Sequence, residues 1–237
     1  MVVPAVPAPA VPAPPLSDPA ATDLAATAPA EAFPPPRRYR GAAADDRRAQ
    51  RRCKLITAAI QVYGERGYQR STIKAVCEAA GLTERYFYES FDNSEALLAA
   101  SYNTVTQALF DEIGRSLQAA GRGRTARARA MLLAYFGALQ RDPRSARVFL
   151  VEIRGVGRAV DEAFEASLRE FGRGAAQVLV PAGRRADELL QSGVVGGILH
   201  IALRWISDGY QPALDQVAET ALRLAQVLAR APVPAKD

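Results

Sequence analysis

Histidine is almost missing from this chain: His200 is the single one among 237 residues. Two cysteines, Cys53 and Cys77, stand without CxxC spacing. That set cannot assemble a metal site of ordinary His/Cys composition, and it gives no disulfide framework. No nucleophile–base pair, no glycine-rich phosphate loop leading into a helix and no carboxylate pair of identifiable geometry occurs, so neither catalysis nor a cofactor is expected. No run of eighteen apolar residues occurs, and no membrane span is expected. The N-terminus, MVVPAVPAPAVPAPP, is apolar by count but broken by prolines, and it lacks the early Lys/Arg of a secretory signal. A soluble, cytoplasmic protein is the expectation. Alternating strand patterns and internal repeats are also missing.

Basic residues are absent from positions 1–36, which hold eleven of the sixteen prolines. Proline fixes φ and removes donors, so residues 1–40 are expected to be an extended or disordered arm. Positive charge is then concentrated. Residues 37–94 carry twelve Lys+Arg against seven Asp+Glu, whereas residues 95–237 carry eighteen against fifteen. The excess begins in the junction RRYRGAAADDRRAQRR (37–52) and continues over a segment where contacts to phosphate would need it.

From Leu55 the periodicity is helical. Leu55, Ile56, Ala59, Val62 and Tyr63 share one face. Gly67 lets the chain leave the helix, and Tyr68 can pack back. Ser71 or Thr72 can cap a second helix whose inward face is Ile73, Val76, Cys77 and Ala80. Gly81 supplies a turn, Leu82 plugs the core, and Thr83 can cap a third helix. Phe87 and Phe91 point one way along it; Glu84, Arg85 and Tyr88 point elsewhere. Three short helices with a polar, aromatic third one fit the major groove of DNA. Arg85 can fork onto guanine, Glu84 can accept from cytosine, and tyrosine hydroxyls suit phosphate oxygens. Thr72 and Lys74 are placed to hold the backbone at a helix N-terminus.

Asp92 or Asn93 can cap a fourth helix running to about Ala119. Further helices are expected over 125–140, 144–154, 158–180, 185–208 and 212–230, separated by Asp142-Pro143, Gly155 and Gly157, Pro181 with Gly183, and Gly209 with Pro212. Candidate walls for an apolar pocket are Tyr102, Phe110, Met131, Tyr135, Phe136, Phe149, Phe164 and Phe171. The last two helices carry stripes at 3–4 spacing: Leu190, Val194, Ile198, Ile201 and Trp205, then Leu214, Val217, Leu224 and Leu228.

The run L-I-x-A-A-x-x-V-Y-x-x-x-G-Y at 55–68 resembles the TetR family of bacterial transcriptional regulators. So do S-T-I-K-A-V-C-E-A-A-G-L-T at 71–83 and Y-F-Y-E-S-F at 86–91. The resemblance implies an all-α homodimer of about nine helices. It implies a helix-turn-helix DNA-binding domain at 41–93, a helical domain for ligand binding and dimerisation at 94–230, and a tail at 231–237. By position, Thr72, Lys74, Thr83, Glu84, Arg85, Tyr86 and Tyr88 fall where family members touch DNA. The helical stripes above would pair with their copies in a second protomer. One departure stands out: the family often has a phosphate-gripping Lys at the start of the fourth helix, and this chain has Asp92-Asn93-Ser94. The basic residues Arg47, Arg48, Arg51 and Arg52 are expected to compensate. The implied function is a repressor that binds a double-stranded DNA operator and is released by a small hydrophobic or amphipathic effector. The alternative is a constitutive DNA-binding architectural protein with no effector.

Overall fold

The computed structural model describes residues 38–153, 155–230 and 232–234, with side chains over 45–153 and 155–230. The proline-rich arm expected over residues 1–40 lies outside them except for its last three positions, which open the first helix. The described chain is all-α apart from one two-stranded ribbon.

Three helices build the N-terminal head: α1 (Arg38–Arg66), α2 (Ile73–Ala80) and α3 (Glu84–Tyr88). Leu55, Ala59, Val62 and Tyr63 of α1 are buried against Val76 and Cys77 of α2 and Phe87 of α3. Gly67 takes φ +87° and Gly81 takes φ +64°, the left-handed conformation that a side chain resists. Past Gly81 the Leu82 amide returns to the Cys77 carbonyl at 2.9 Å, closing α2 as a helix C-terminus is usually closed. Thr72 caps α2 by accepting from the Ala75 amide at 3.1 Å. Thr83 occupies the corresponding position before α3, but its hydroxyl makes no capping bond. Tyr68 packs back edge-on to Tyr63, with ring centroids 5.3 Å apart, as its position predicts.

Asn93, rather than Asp92, caps α4 (Ser94–Ala119), accepting from Ala96 at 2.8 Å. At 1.5 Å per residue this helix is about 39 Å long. Around it pack α5 (Arg124–Arg141), α6 (Pro143–Leu150) and α7 (Arg158–Leu179), followed by α8 (Glu188–Ser207), α9 (Leu214–Ala225) and the short α10 (Val227–Arg230). Three stretches differ from expectation, one of them the helix expected over 212–230, which starts at Leu214 and is interrupted at Gln226 between α9 and α10. The sixth helix stops at Leu150, not 154, because the Glu152 amide folds back to the Arg147 carbonyl and its side chain is drawn elsewhere. The eighth starts at Glu188 because Asp187 caps it, accepting from Leu190 at 2.8 Å. Ahead of that cap, β1 (Arg184–Ala186) pairs antiparallel with β2 (Pro232–Pro234), so the described part of the expected tail forms a strand. Three residues are too few for alternation to register in sequence.

By length and composition alone α8 could cross a membrane, with a mean hydropathy of 1.4, although no apolar run of eighteen flags it in sequence. It packs instead on α7 and α9 through Val194, Leu199, Ala202 and Trp205. Trp205 lies edge-on to Phe136 and donates its indole N–H to the Pro212 carbonyl at 2.6 Å.

Candidate nucleic-acid interface and inner cavity

Phe87 is wholly buried and Phe91 nearly so, their rings 5.9 Å apart. Their anchoring fixes the rotation of α3 and turns its other face outward. Arg85 presents 84% of its side chain to solvent, and Tyr88 is 59% exposed. An exposed tyrosine of that size beside an exposed arginine is an unusual use of surface on a five-residue helix. Glu84, Thr83, Thr72 and Lys74 are exposed on the same head. Lys74 lies 4.0 Å from Glu78, a pair too exposed to immobilise it.

The basic residues ahead of Leu55 have a second task. Arg48 donates to the Glu89 carbonyl at 2.6 Å and Arg52 to the Ser90 carbonyl at 2.7 Å. Both carbonyls lie just past the C-terminal end of α3, where a cation is favoured by the helix dipole. Arg51 reaches the Glu89 carboxylate at 3.5 Å and lies 4.5 Å from the centre of the Tyr86 ring. Arg52 lies 4.1 Å from the centre of the Phe91 ring. Tyr86 is thus half-buried beneath Arg51, while Arg47 remains exposed. Three of the four arginines brace the end of α3, and a guanidinium has five N–H groups, so donors remain on each. Burial, and then the Glu84 charge, push the Cys77 thiol above its ordinary range behind this face.

Within the helical body, α4, α5, α6, α7 and α8 line a half-open, largely apolar cavity of about 120 Å³. Of the eight candidate wall residues, Phe110, Met131, Tyr135, Phe149 and Phe171 line it. Tyr102, Phe136 and Phe164 do not. Tyr102 stacks behind Phe149 at 5.6 Å and shares a hydrogen bond with Ser167, Phe164 packs near Tyr102, and Phe136 is held by Trp205. Aliphatic walls went unforeseen: Ile113, Leu117, Leu168, Val195 and Leu199. Burial pushes the Tyr135 hydroxyl well above its usual range, with Tyr102 adding to the effect, so that hydroxyl stays neutral; Glu170 is the charged residue among the walls.

The expected partner-facing stripe is also partly internal. Val194, Trp205, Val217 and Leu228 are buried within the protomer and build its own core. Ile198 lines the cavity. Leu190, Ile201, Leu214 and Leu224 are half-exposed. Leu189, not singled out by periodicity, is 86% exposed. Gly193 and Gly196 face open space, whereas Gly197 lets Leu224 approach to 2.7 Å from where a Cβ would stand.

Head and body meet at α6. The Glu152 side chain is 9% exposed; it accepts from the Tyr68 amide at 2.6 Å and from Arg147 Nε at 2.7 Å. Arg144 pairs with Glu65 at 2.8 Å, and Gly64 permits the contact: a Cβ there would come within 2.6 Å of the Arg144 Cβ. Phe149, on the same helix as Arg147, lines the cavity. A second link joins α4 to α7. The N-terminus of α7 has no side-chain cap of its own, and Glu95 supplies an acceptor to the Ala159 amide at 3.2 Å.

Residues 55–101 match the family described as bacterial regulatory proteins, tetR family. The HTH-type transcriptional repressor KstR2 of Rhodococcus jostii (strain RHA1) is 23% identical over 183 residues, covering 73% of this chain and 88% of that one. Among solved structures, the regulator FadR from Bacillus subtilis in complex with stearoyl-CoA aligns with a TM-score of 0.63 at 18% identity, over 73% of this chain and 96% of its own. The fatty acid degradation regulator FadR from Bacillus halodurans gives 0.63 at 18% identity, over 74% and 94%. At identities this low, the structural likeness establishes a shared fold alone.

Proposed function

We propose that the chain, whose residues 55–101 match the tetR family of bacterial regulatory proteins, is a dimeric repressor of that family released from DNA by a small apolar or amphipathic effector. The observation that carries the reading is the outward pair Arg85 and Tyr88 on a helix whose opposite face is locked by Phe87 and Phe91. In this reading the head is residues 41–93 and the effector and dimer domain residues 94–230. Arg85 reads a base edge, and Glu84 and Tyr88 flank it. Thr72, Lys74, Thr83 and Tyr86 meet the backbone with the free donors of Arg47, Arg48, Arg51 and Arg52. Asp92 offers no grip on phosphate, so the arginines carry that load. Such a protein works in the cytoplasm.

Two heads on a two-fold axis would address half-sites about 34 Å apart or a multiple of it. Exposed Leu189 and the open glycines at 193 and 196 support a second copy against α8. The cavity supports an effector and weighs against the architectural alternative. A relative of the same fold carries stearoyl-CoA, which favours an amphipathic ligand. Effector in the cavity displaces Phe149, α6 moves, and Glu152 releases the Tyr68 amide, altering the set of the heads. Near-complete switching needs about 5.5 kcal/mol of differential effector binding.

Selection of bound DNA from random sequence by the purified full chain tests this reading. Recovery of a palindromic motif supports it; recovery of no motif contradicts it.

A further inference from the structure

The walls of the cavity are almost all hydrocarbon, and two of the described ones carry a side-chain oxygen: Tyr135 and Glu170. Glu170 is half-exposed and already paired with Arg173. Tyr135 is 6% exposed, and its hydroxyl has no hydrogen-bond partner among the described residues. The other two tyrosines of the body differ. Tyr210 donates to the Leu139 carbonyl at 3.4 Å, and the Tyr102 hydroxyl lies 2.5 Å from Ser167 Oγ. Ser167 gives its own proton to the Phe164 carbonyl at 2.7 Å, so Tyr102 is the donor in its pair. A buried hydroxyl without a partner costs free energy, and an acceptor on a ligand returns it. Burial holds the Tyr135 proton in place, so the hydroxyl can donate across the physiological range. Its ring stands edge-on to Phe171 at 6.2 Å, and Phe171 meets Phe110 at 4.3 Å and Phe149 at 5.9 Å. Four linked rings thus fix where the hydroxyl stands.

We propose that Tyr135 determines the specificity of the cavity, and that its ligand is a neutral molecule the size of one six-membered ring whose single carbonyl oxygen accepts from the Tyr135 hydroxyl. The proposal rests on the effector reading above and names the effector's chemical class. Three observations set that class. The cavity, at about 120 Å³, is close in size to an engineered apolar cavity of about 150 Å³ that takes benzene, so one ring fills it. None of the described walls is Lys, Arg or His, so an anion would find no countercharge there and would meet the Glu170 carboxylate instead. A ligand of hydrocarbon alone would fill the space and leave the Tyr135 donor unmade.

Titration of the full chain with cyclohexanone, methylenecyclohexane and cyclohexanecarboxylate tests this. The first two share a shape and differ in the acceptor; the third adds a charge. Cyclohexanone is expected to bind at least tenfold more tightly than the carboxylate. Tyr135→Phe should weaken cyclohexanone about fivefold and leave methylenecyclohexane within twofold of wild type. Tyr102→Phe removes a hydroxyl already committed to Ser167 and should leave the ratio of the two unchanged. The infrared carbonyl stretch of bound cyclohexanone should lie at lower frequency in wild type than in Tyr135→Phe, a shift that a merely structural role for Tyr135 does not give. Should Tyr135→Phe fail to fold, the stretch of the ketone bound to wild type, compared with the ketone in hexane, reads the same hydrogen bond. Absence of cyclohexanone binding, tighter binding of the carboxylate, equal loss of both neutral ligands in Tyr135→Phe or an unshifted carbonyl stretch overturns the proposal. Operator binding measured alongside separates the two readings. Tyr135-dependent binding of cyclohexanone that leaves operator affinity untouched sinks the effector role and keeps the site. Release of operator by both neutral ligands alike, with no dependence on Tyr135, keeps the effector role and overturns the proposal.

Discussion

Head and body solve opposite packing problems. The head puts its aromatic anchors, Phe87 and Phe91, inside and sends Arg85 and Tyr88 out on a five-residue helix. The body does the reverse: Phe110, Tyr135, Phe149 and Phe171 turn inward yet leave a void between them. A tight small core holds the outward side chains of α3 in one orientation. A loose larger core leaves room for a guest. The difference teaches where each part can tolerate change, and it can be broken from either side.

The largest effect is expected from the head's anchor. Phe87→Ala removes a fully buried ring and should cost about 3–5 kcal/mol, read by denaturant unfolding. A loss under about 1 kcal/mol would mean that the head is not held as described. The corresponding insult to the body is a filling one. Ala175 lines the cavity, and Ala175→Phe should abolish effector binding by calorimetry while operator affinity stays within about threefold. Loss of operator binding in that variant would show that the two regions are less separable than their packing implies.

The joint between them comes next. Glu152→Gln keeps the shape but weakens a charge-assisted hydrogen bond from the Tyr68 amide, worth about 1.5–3 kcal/mol. Hydrogen exchange at that amide should accelerate about tenfold or more, and operator affinity should become less sensitive to effector. An unchanged exchange rate would break the link. The smallest effect concerns the thiols. Cys53 is exposed and Cys77 is buried, with a thiol that burial and the nearby Glu84 disfavour as thiolate. At pH 8, iodoacetamide should modify Cys53 in the native protein and Cys77 only after unfolding, as mass spectrometry would show. Equal labelling would mean the head opens readily.

Legibility in sequence follows the same divide. In the head, short-range rules carry the information. The helix exit at Gly67, the turn at Gly81 and the inward phenylalanines four apart occur as expected, and of the two candidate caps, Ser71 and Thr72, it is Thr72 that closes the start of α2. What the head concealed is that Arg48, Arg51 and Arg52 clamp the far end of α3, a contact across 38 to 41 positions of sequence. In the body, apolar stripes locate helices but do not say what covers them. Val194, Trp205, Val217 and Leu228 look the same in sequence whether their own chain or a second copy buries them, and their own chain does. Aromatic residues drew attention as cavity walls, so the aliphatic ones, Leu168 and Val195 among them, were missed. Glu152 gives no local signal at all, because its partner at Tyr68 lies 84 positions away.

The central claim is that Arg85 and Tyr88 meet DNA. Its most direct test is the affinity of the double variant Arg85→Ala/Tyr88→Ala for the selected operator at fixed salt, with melting temperature as the control. Two lost contacts at about 1–3 kcal/mol each predict a fall of about thirtyfold or more with an unchanged melting temperature. An affinity within threefold of wild type would contradict the account.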